Sequence, residues 1–266
     1  MRRVALEAQV FARSTWLQYV ALFQWATVTG YIAYKVLLPI GQILFFVEFG
    51  VFATGRQNAL YFALGNALQL TANAGIYGVI ATVANERQYG TLPILLGSPA
   101  NRLITFLSRS IVNVIDGLVT VIVALALVVV LFGLDLQRAN LPLLAICVLV
   151  ISLTTAGMGL LFGSVGLVMR DSIVVANVVY YLFLILCGIN FPVSRLPGAL
   201  QLISYGLPLT RGVEAARQAA AGASLIHVSG LLAGELIVGA VYASCGYVLF
   251  RLFETYSRRG GLQEAY

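Results

Sequence analysis

Charged and amide side chains are scarce in this chain, and the few that interrupt its apolar runs mark where chemistry could occur. Asn66, Gln69, Asn73 and Tyr77 recur at helical spacing, which puts them in one stripe along a single helix face. An amide turned toward hydrocarbon is costly, so the stripe must face protein or a cavity: it either bonds to a neighbouring helix or lines a path for a ligand. Asn113, Asp116 and Thr120 form a similar stripe in another apolar run, where Asp116 is an ionisable group in a setting that disfavours charge. Lys35 and Glu48 stand toward opposite ends of one run, from which each can reach the polar boundary or a ligand. Arg211, Glu214 and Arg217 share a helix face by spacing, which suits mutual pairing or contact with an anionic group.

Catalysis is harder to assemble. Asp116-Gly117 has no further Asp cluster and no His near it in the sequence, and no nucleophile, base and orienting group can be brought together, so no catalytic residue is assigned. His227 is the single histidine, and Cys147, Cys187 and Cys245 lie apart in apolar stretches with no C-x-x-C spacing. They read as free buried thiols, and no metal site is expected. Lys35 is the only lysine among sixteen basic residues and is followed by Val36. A phosphate-cradling loop of the form G-x-x-x-x-G-K-[ST] therefore cannot be built, and this chain cannot hold a nucleotide that way.

The elements that must carry these residues follow from composition. Of 266 residues 60% are apolar and only 10% charged, with a mean hydropathy of +0.94. A water-soluble domain is about 25% charged, so lipid must solvate much of this surface and the chain is read as an integral membrane protein. The net charge of +6 comes without any basic run interleaved with aromatics, which argues against nucleic acid. At about 20 residues per span, candidate helices fall near 28–51, 60–84, 103–134, 141–169, 172–191 and 225–252. An even number puts both termini on one side. Arg2, Arg3, Arg13, Arg87, Arg102, Arg109, Arg170, Arg251, Arg258 and Arg259 flank that side, against Arg56, Arg138, Arg195, Arg211 and Arg217 on the other. The excess places both termini in the cytoplasm.

Three segments do not read as spans. Residues 1–24 are too polar, but Val4, Ala8, Phe11, Ala12, Trp16 and Tyr19 segregate from Arg2, Arg3, Glu7, Arg13 and Ser14, as in a helix lying in the membrane interface. No apolar h-region follows Arg2-Arg3, so no cleaved signal is expected. Residues 192–222 hold Pro192, Pro197 and a break at Gly206-Leu207-Pro208, leaving two stretches of about 9–14 residues. That is the length of a re-entrant or interfacial helix, in an external gate or vestibule or at the headgroups. In 85–102, Thr91 can cap a very short helix with Pro93 in its first turn, Gly97 can end it, and Ser98-Pro99 can start the next. Leu92, Ile94, Leu95 and Leu96 there have no core of their own and suit either a groove on a soluble partner or the headgroup layer. Gly159-x-x-x-Gly163 and Gly230-x-x-x-Gly234 are spacings that permit close helix packing.

Glu86-Arg87-x-x-Gly90-Thr91-Leu92, followed by Leu95-Leu96-x-x-Pro99, resembles the cytoplasmic motif of ABC-2 type permeases, the membrane subunits of bacterial ATP-driven exporters. Gly188-x-x-Phe191-Pro192-x-Ser194-x-Leu196-Pro197, continuing to Leu207-Pro208-Leu209-Thr210, Glu214, Arg217 and Gly222, is similar to that family's external turn and re-entrant stretch before the last helix. Pro93 departs from the pattern, which often has an acidic residue there. The resemblance covers essentially the whole chain. It implies an all-α integral membrane fold, a single transmembrane domain over 1–266 with six transmembrane helices, an N-terminal interfacial helix (1–24), a cytoplasmic coupling-helix loop (85–102) and an external re-entrant segment (192–222).

The resemblance further implies a permease working as one of two copies, homodimer or paralogue, with separate ATP-binding cassette subunits that carry ATP and Mg, in the bacterial inner membrane. The chain itself is then not an enzyme and binds no cofactor. Glu86, Arg87, Gly90, Thr91, Leu92, Leu95 and Leu96 become the ATPase-coupling residues. Lys35, Asn66, Gln69, Asn73, Tyr77 and Asp116 are candidates for the substrate path, and Phe191, Pro192, Arg211, Glu214 and Arg217 for the external gate. The substrate would be hydrophobic or amphipathic: a drug, lipid or lipid-linked glycan. A secondary transporter or a membrane-embedded lipid-modifying enzyme is the alternative. The first would normally have related halves and helices broken at the midplane, which the sequence does not display.

Overall fold

The computed structural model describes residues 9, 11–17, 19–20, 27–88, 90, 102–133, 135, 137–165 and 172–259; the side chains of Glu86, Arg87 and Asn113 lie outside that description. All regular structure among these residues is helical. Residues 11–17 and 19–20 are helical, followed by α1 (Val28–Thr54), a 3-10 turn (Arg56–Asn58), α2 (Ala59–Gln88), α3 (Arg102–Phe132), α4 (Leu141–Val165), α5 (Ser172–Leu186), a second 3-10 turn (Val193–Arg195), α6 (Gly198–Gly206), α7 (Thr210–Ala220) and α8 (Leu225–Arg259).

A helix falls in each of the six expected spans, and among the described residues four stretches are both long and apolar enough to cross a bilayer on their own: Thr29–Thr54, Val114–Phe132, Leu141–Val165 and Leu225–Phe253. α5 has 15 residues. α2 has 30 residues, ample length at 1.5 Å each, and carries the polar stripe of Asn66, Gln69, Asn73 and Tyr77. That polarity is tolerated because α2 does not face lipid: every residue from Phe62 to Ala72 is buried, enclosed by α1, α3, α4, α5 and α7.

α2 and α4 form the centre, with α8 on the far side of α4 and α1 and α3 on the far side of α2. Lipid-type surface lies outside, where Leu37, Phe45, Phe49 and Phe52 of α1 and Ile226, Ile237 and Val241 of α8 are exposed. The helix ends are closed by specific residues. Thr27 accepts the Gly30 N–H at 3.2 Å to start α1, and Asn140 accepts the Leu143 N–H at 3.2 Å to start α4. Asn140 also ties the end of α7, donating to the Ala219 carbonyl at 2.9 Å and through its side chain to the Ala223 carbonyl at 3.1 Å. The N-terminal helical stretch is attached to α3 by Thr15, whose hydroxyl lies 3.1 Å from the Ser108 carbonyl. Ser14 is buried, while Trp16, Leu17 and Tyr19 are exposed.

The central pair is close because small residues face each other. A Cβ added at Gly159 would lie 2.7 Å from the Gly75 carbonyl oxygen and 3.1 Å from Ile76 Cα. Gly163, one turn further, has Val79 Cγ1 at 3.4 Å, whereas Gly230 faces open space and Gly234 meets the Arg211 side chain. Of the two small-residue spacings, only the first joins two spans. Gly159→Ala is therefore expected to destabilise the protein by about 1–3 kcal/mol through overpacking, and Gly230→Ala to leave it unchanged. Thermal unfolding of both variants in the same detergent tests the contrast.

Candidate functional site

The α2 stripe faces α5 and the turn that follows it. The Asn66 amide donates to the Phe62 carbonyl at 2.9 Å and to Asn190 Oδ1 at 3.0 Å. Gln69 reaches the Tyr180 carbonyl at 3.4 Å, and the Tyr77 hydroxyl bonds to Asn177 Oδ1. The seam is under-filled: Asn66 Oδ1, Gln69 Oε1 and Asn73 Oδ1 are buried with no hydrogen-bond partner among the described residues. A buried acceptor left unpaired costs about 1–3 kcal/mol. Among the described residues, three such acceptors stand along one face of α2.

Lys35 and Asp116 are brought together in a second constellation, between α1 and α3. The Lys35 ammonium lies 2.5 Å from Asp116 Oδ2, 3.0 Å from the Asp116 carbonyl and 2.5 Å from Thr120 Oγ1. Asp116 Oδ1 takes the Tyr31 hydroxyl. All three ammonium N–H groups are engaged, so Lys35, only 6% exposed, has none left for a ligand in this conformation. Chemically the arrangement holds α1 to α3. Glu48 is elsewhere, exposed on α1 between Phe45, Phe49 and Phe52.

A third constellation gathers at the other end of α2. Arg217 on α7 donates to the carbonyls of Gly188 at 2.7 Å, Ile189 at 2.9 Å and Tyr61 at 3.1 Å, with its guanidinium carbon 3.5 Å from the Tyr61 ring centroid. Tyr61 bonds to the same Gly188 carbonyl at 2.9 Å. The turn comes this close because residue 65 is glycine, where a Cβ would stand 2.4 Å from the Ile189 oxygen. The expected pairing among Arg211, Glu214 and Arg217 does not form. Arg211 donates to the Tyr205 carbonyl at 2.5 Å and stacks on its ring, while exposed Glu214 accepts from Gln218 at 3.0 Å. Buried carbonyls at helix and turn ends offered Arg217 better partners than a solvated carboxylate. Phe191 is half-buried and Pro192 exposed in the turn just before Val193–Arg195.

The expected coupling residues are only partly described. Gly90 closes α2 with φ of +67°, a conformation that favours glycine. Glu86 and Arg87 lie in the last turns of α2, and Thr91, Leu92, Leu95 and Leu96 are outside the described residues. Of the cysteines, Cys147 and Cys187 are buried as expected, but Cys245 is exposed on the lipid-type face of α8.

Sequence reasoning missed Glu235, Asn177 and Asn190. Glu235 is completely buried on α8, with its carboxylate accepting from Thr154, Leu209 and Gly212. The signal was available, because an acidic residue inside an apolar span is the criterion that singled out Asp116. Asn177 and Asn190 stand alone on their own elements and become visible only as partners of the α2 stripe.

A bundle whose described residues are helical, with apolar outer faces and a polar seam at its centre, is that of a multi-pass membrane protein. The sequence matches the family described as ABC-2 type transporter over residues 8–220, and the chain belongs to that family. It is thus a permease component of an ABC transporter. Comparison with curated proteins finds no match.

Lys35→Met or Asp116→Leu alone strands a buried charge and is expected to destabilise by about 3–5 kcal/mol, while the double variant recovers most of the loss. Unfolding midpoints of the four proteins in detergent check this; strictly additive losses would mean that the pair is not a clamp.

Proposed function

We propose that this permease is the membrane half of an exporter that moves a hydrophobic or amphipathic molecule, a drug, lipid or lipid-linked glycan, outward. Two copies work together, and ATP hydrolysis with Mg takes place on separate ATP-binding cassette subunits. Membership of the family over most of the chain supports this reading, as does the single lysine, which leaves this chain without a Walker A loop of its own. The path runs along the α2 seam, and the observation that carries it is the column of unpaired buried acceptors at Asn66, Gln69 and Asn73. Surfaces that are complete in one conformation have no use for such groups; a seam that opens to water or cargo does.

In this reading all six long helices cross the bacterial inner membrane and both termini are cytoplasmic. α2 crosses inside a sheath of other helices, and α5 is lengthened by the turn after it. Residues 192–222 are external and re-entrant. The support is where α7 is fastened: its first turn to Glu235, about 15 Å along α8 from Leu225, and its last turn to Asn140 at the very start of α4. The 85–102 loop, with Leu92, Leu95 and Leu96 as its apolar contact, docks on the ATPase.

Mild-detergent purification from the native membrane should bring down a stoichiometric Walker-A-containing ATPase. Leu92→Asp with Leu95→Asp is expected to lower co-purified ATPase and transport at least tenfold, on the order of the loss from burying two unpaired charges, with the membrane fold intact. Full transport by the double variant would remove the coupling role, and a chain that purifies alone would favour a secondary transporter.

A further inference from the structure

The first turn of α7 has no cap of its own. The residue in front of it is Leu209, whose side chain offers no acceptor and whose φ of +90° is the one positive value at a non-glycine among the described residues. Holding a buried leucine in that conformation costs free energy that the surroundings must supply. They do so from another helix. Glu235 Oε1 accepts the Leu209 N–H at 2.5 Å and the Thr154 hydroxyl at 3.0 Å, and Oε2 accepts the Gly212 N–H at 3.0 Å. The Leu209 and Gly212 N–H groups are among the backbone donors that a helix N-terminus leaves unpaired, and the positive end of the helix dipole points at the carboxylate.

The site is built around that approach. A Cβ at residue 212 would stand 2.4 Å from Ile151 Cγ1 and 3.5 Å from the Glu235 carboxyl carbon, so glycine lets the two meet. Arg211 lies along α8 at Gly234, beside the carboxylate. Within 4 Å, Glu235 has no ion-pair partner among the described residues, so three hydrogen-bond donors, a helix end and the more distant Arg211 guanidinium offset its removal from water. The break is tied further by Thr210 to the Ser204 carbonyl at 2.6 Å and Ser204 to the Leu186 carbonyl at 2.5 Å. Cys187, fully buried, packs under the break with its Sγ 3.8 Å from the Pro208 oxygen.

We propose that Glu235 is the positioning residue of the external gate: from the last span it caps α7 in trans, holds the strained closed position at Leu209, and must release and re-form that cap in each transport cycle. This rests on the exporter reading given above. The carboxylate is suited to the task because it has only acceptors. An amide in its place would turn its N–H₂ toward a backbone N–H, so Glu235→Gln replaces an attraction by an unpaired donor facing another donor.

Cys187 provides the readout. In native membranes, with Cys147→Ser and Cys245→Ser as background, Cys187 is expected to react slowly with a charged maleimide and faster when ATP is added. With Glu235→Gln it should react about tenfold faster or more, and ATP should no longer change the rate. Thr154→Val, which removes one of the three bonds, should fall between and keep its ATP response. A Glu235→Gln protein that is monodisperse in detergent yet labels at the background rate overturns the proposal. If that variant does not fold, Thr154→Val labelling at the background rate overturns it equally. A background insensitive to ATP, with Cys187 still freed by Glu235→Gln, refutes the cycle and the exporter reading while leaving the static cap in place.

Discussion

Inside a bilayer no water is available to complete a hydrogen bond, so each polar group must find its partner within the protein or leave the hydrocarbon. The architecture follows from that constraint more directly than from hydrophobic packing, because lipid tails solvate apolar helices as well as other helices do. α2 is the clearest case. It carries more amides than lipid would accept, and five helices enclose it. Small residues then set how closely those helices come. Gly75 and Gly159 bring α2 and α4 near enough for backbone to meet backbone, and Gly65 lets the turn after α5 reach the Arg217 guanidinium.

Three polar constellations meet the same constraint with different completeness, and the difference bears on what each can do. Lys35, Asp116, Thr120 and Tyr31 saturate one another, so any rearrangement of α1 against α3 must break an ion pair in a medium that cannot replace it. Such a joint is rigid. The α2 seam has bonds to α5 at Asn190, Tyr180 and Tyr77–Asn177 but keeps three acceptors unpaired. Separating α2 from α5 would therefore cost less than separating α1 from α3, and water or a donor-bearing cargo would offset part of it. The proposed path lies where the polar network is weakest.

Much of the fold was legible in the sequence because hydropathy and breakers report on the environment of whole segments. A helix formed in each of the six apolar runs, five of them long and α5 short, and Gly206-Leu207-Pro208 ended α6 as the proline requires. What hydropathy could not report is which helix sits inside the others: α2 is enclosed by five helices, while α5 is short. Site residues were legible when they repeat on one helix, as Asn66, Gln69, Asn73 and Tyr77 do. Their partners were not, because Asn177 and Asn190 are single amides on their own elements. The spacing of Arg211, Glu214 and Arg217 misled for a related reason. Spacing along one helix says which groups could meet, but carbonyls of a distant turn were better acceptors for Arg217.

Glu235 joins these strands. A carboxylate buried in a span is tolerable only if the protein brings donors to it, and the donors here are not side chains of opposite charge but the Thr154 hydroxyl and the first N–H groups of α7. The exchange runs both ways: the half-helix needs an acceptor for its orphan amides, and the acidic residue needs a cap to occupy. Neither is stable there without the other. A short helix held at one end by a buried charge and at the other by Asn140 can pivot only by releasing one of them. The Asn140 end is backbone-bonded and sits at the start of α4, where water can complete its bonds. The Glu235 end has no such substitute, so of the two fastenings it is the one that costs more to release.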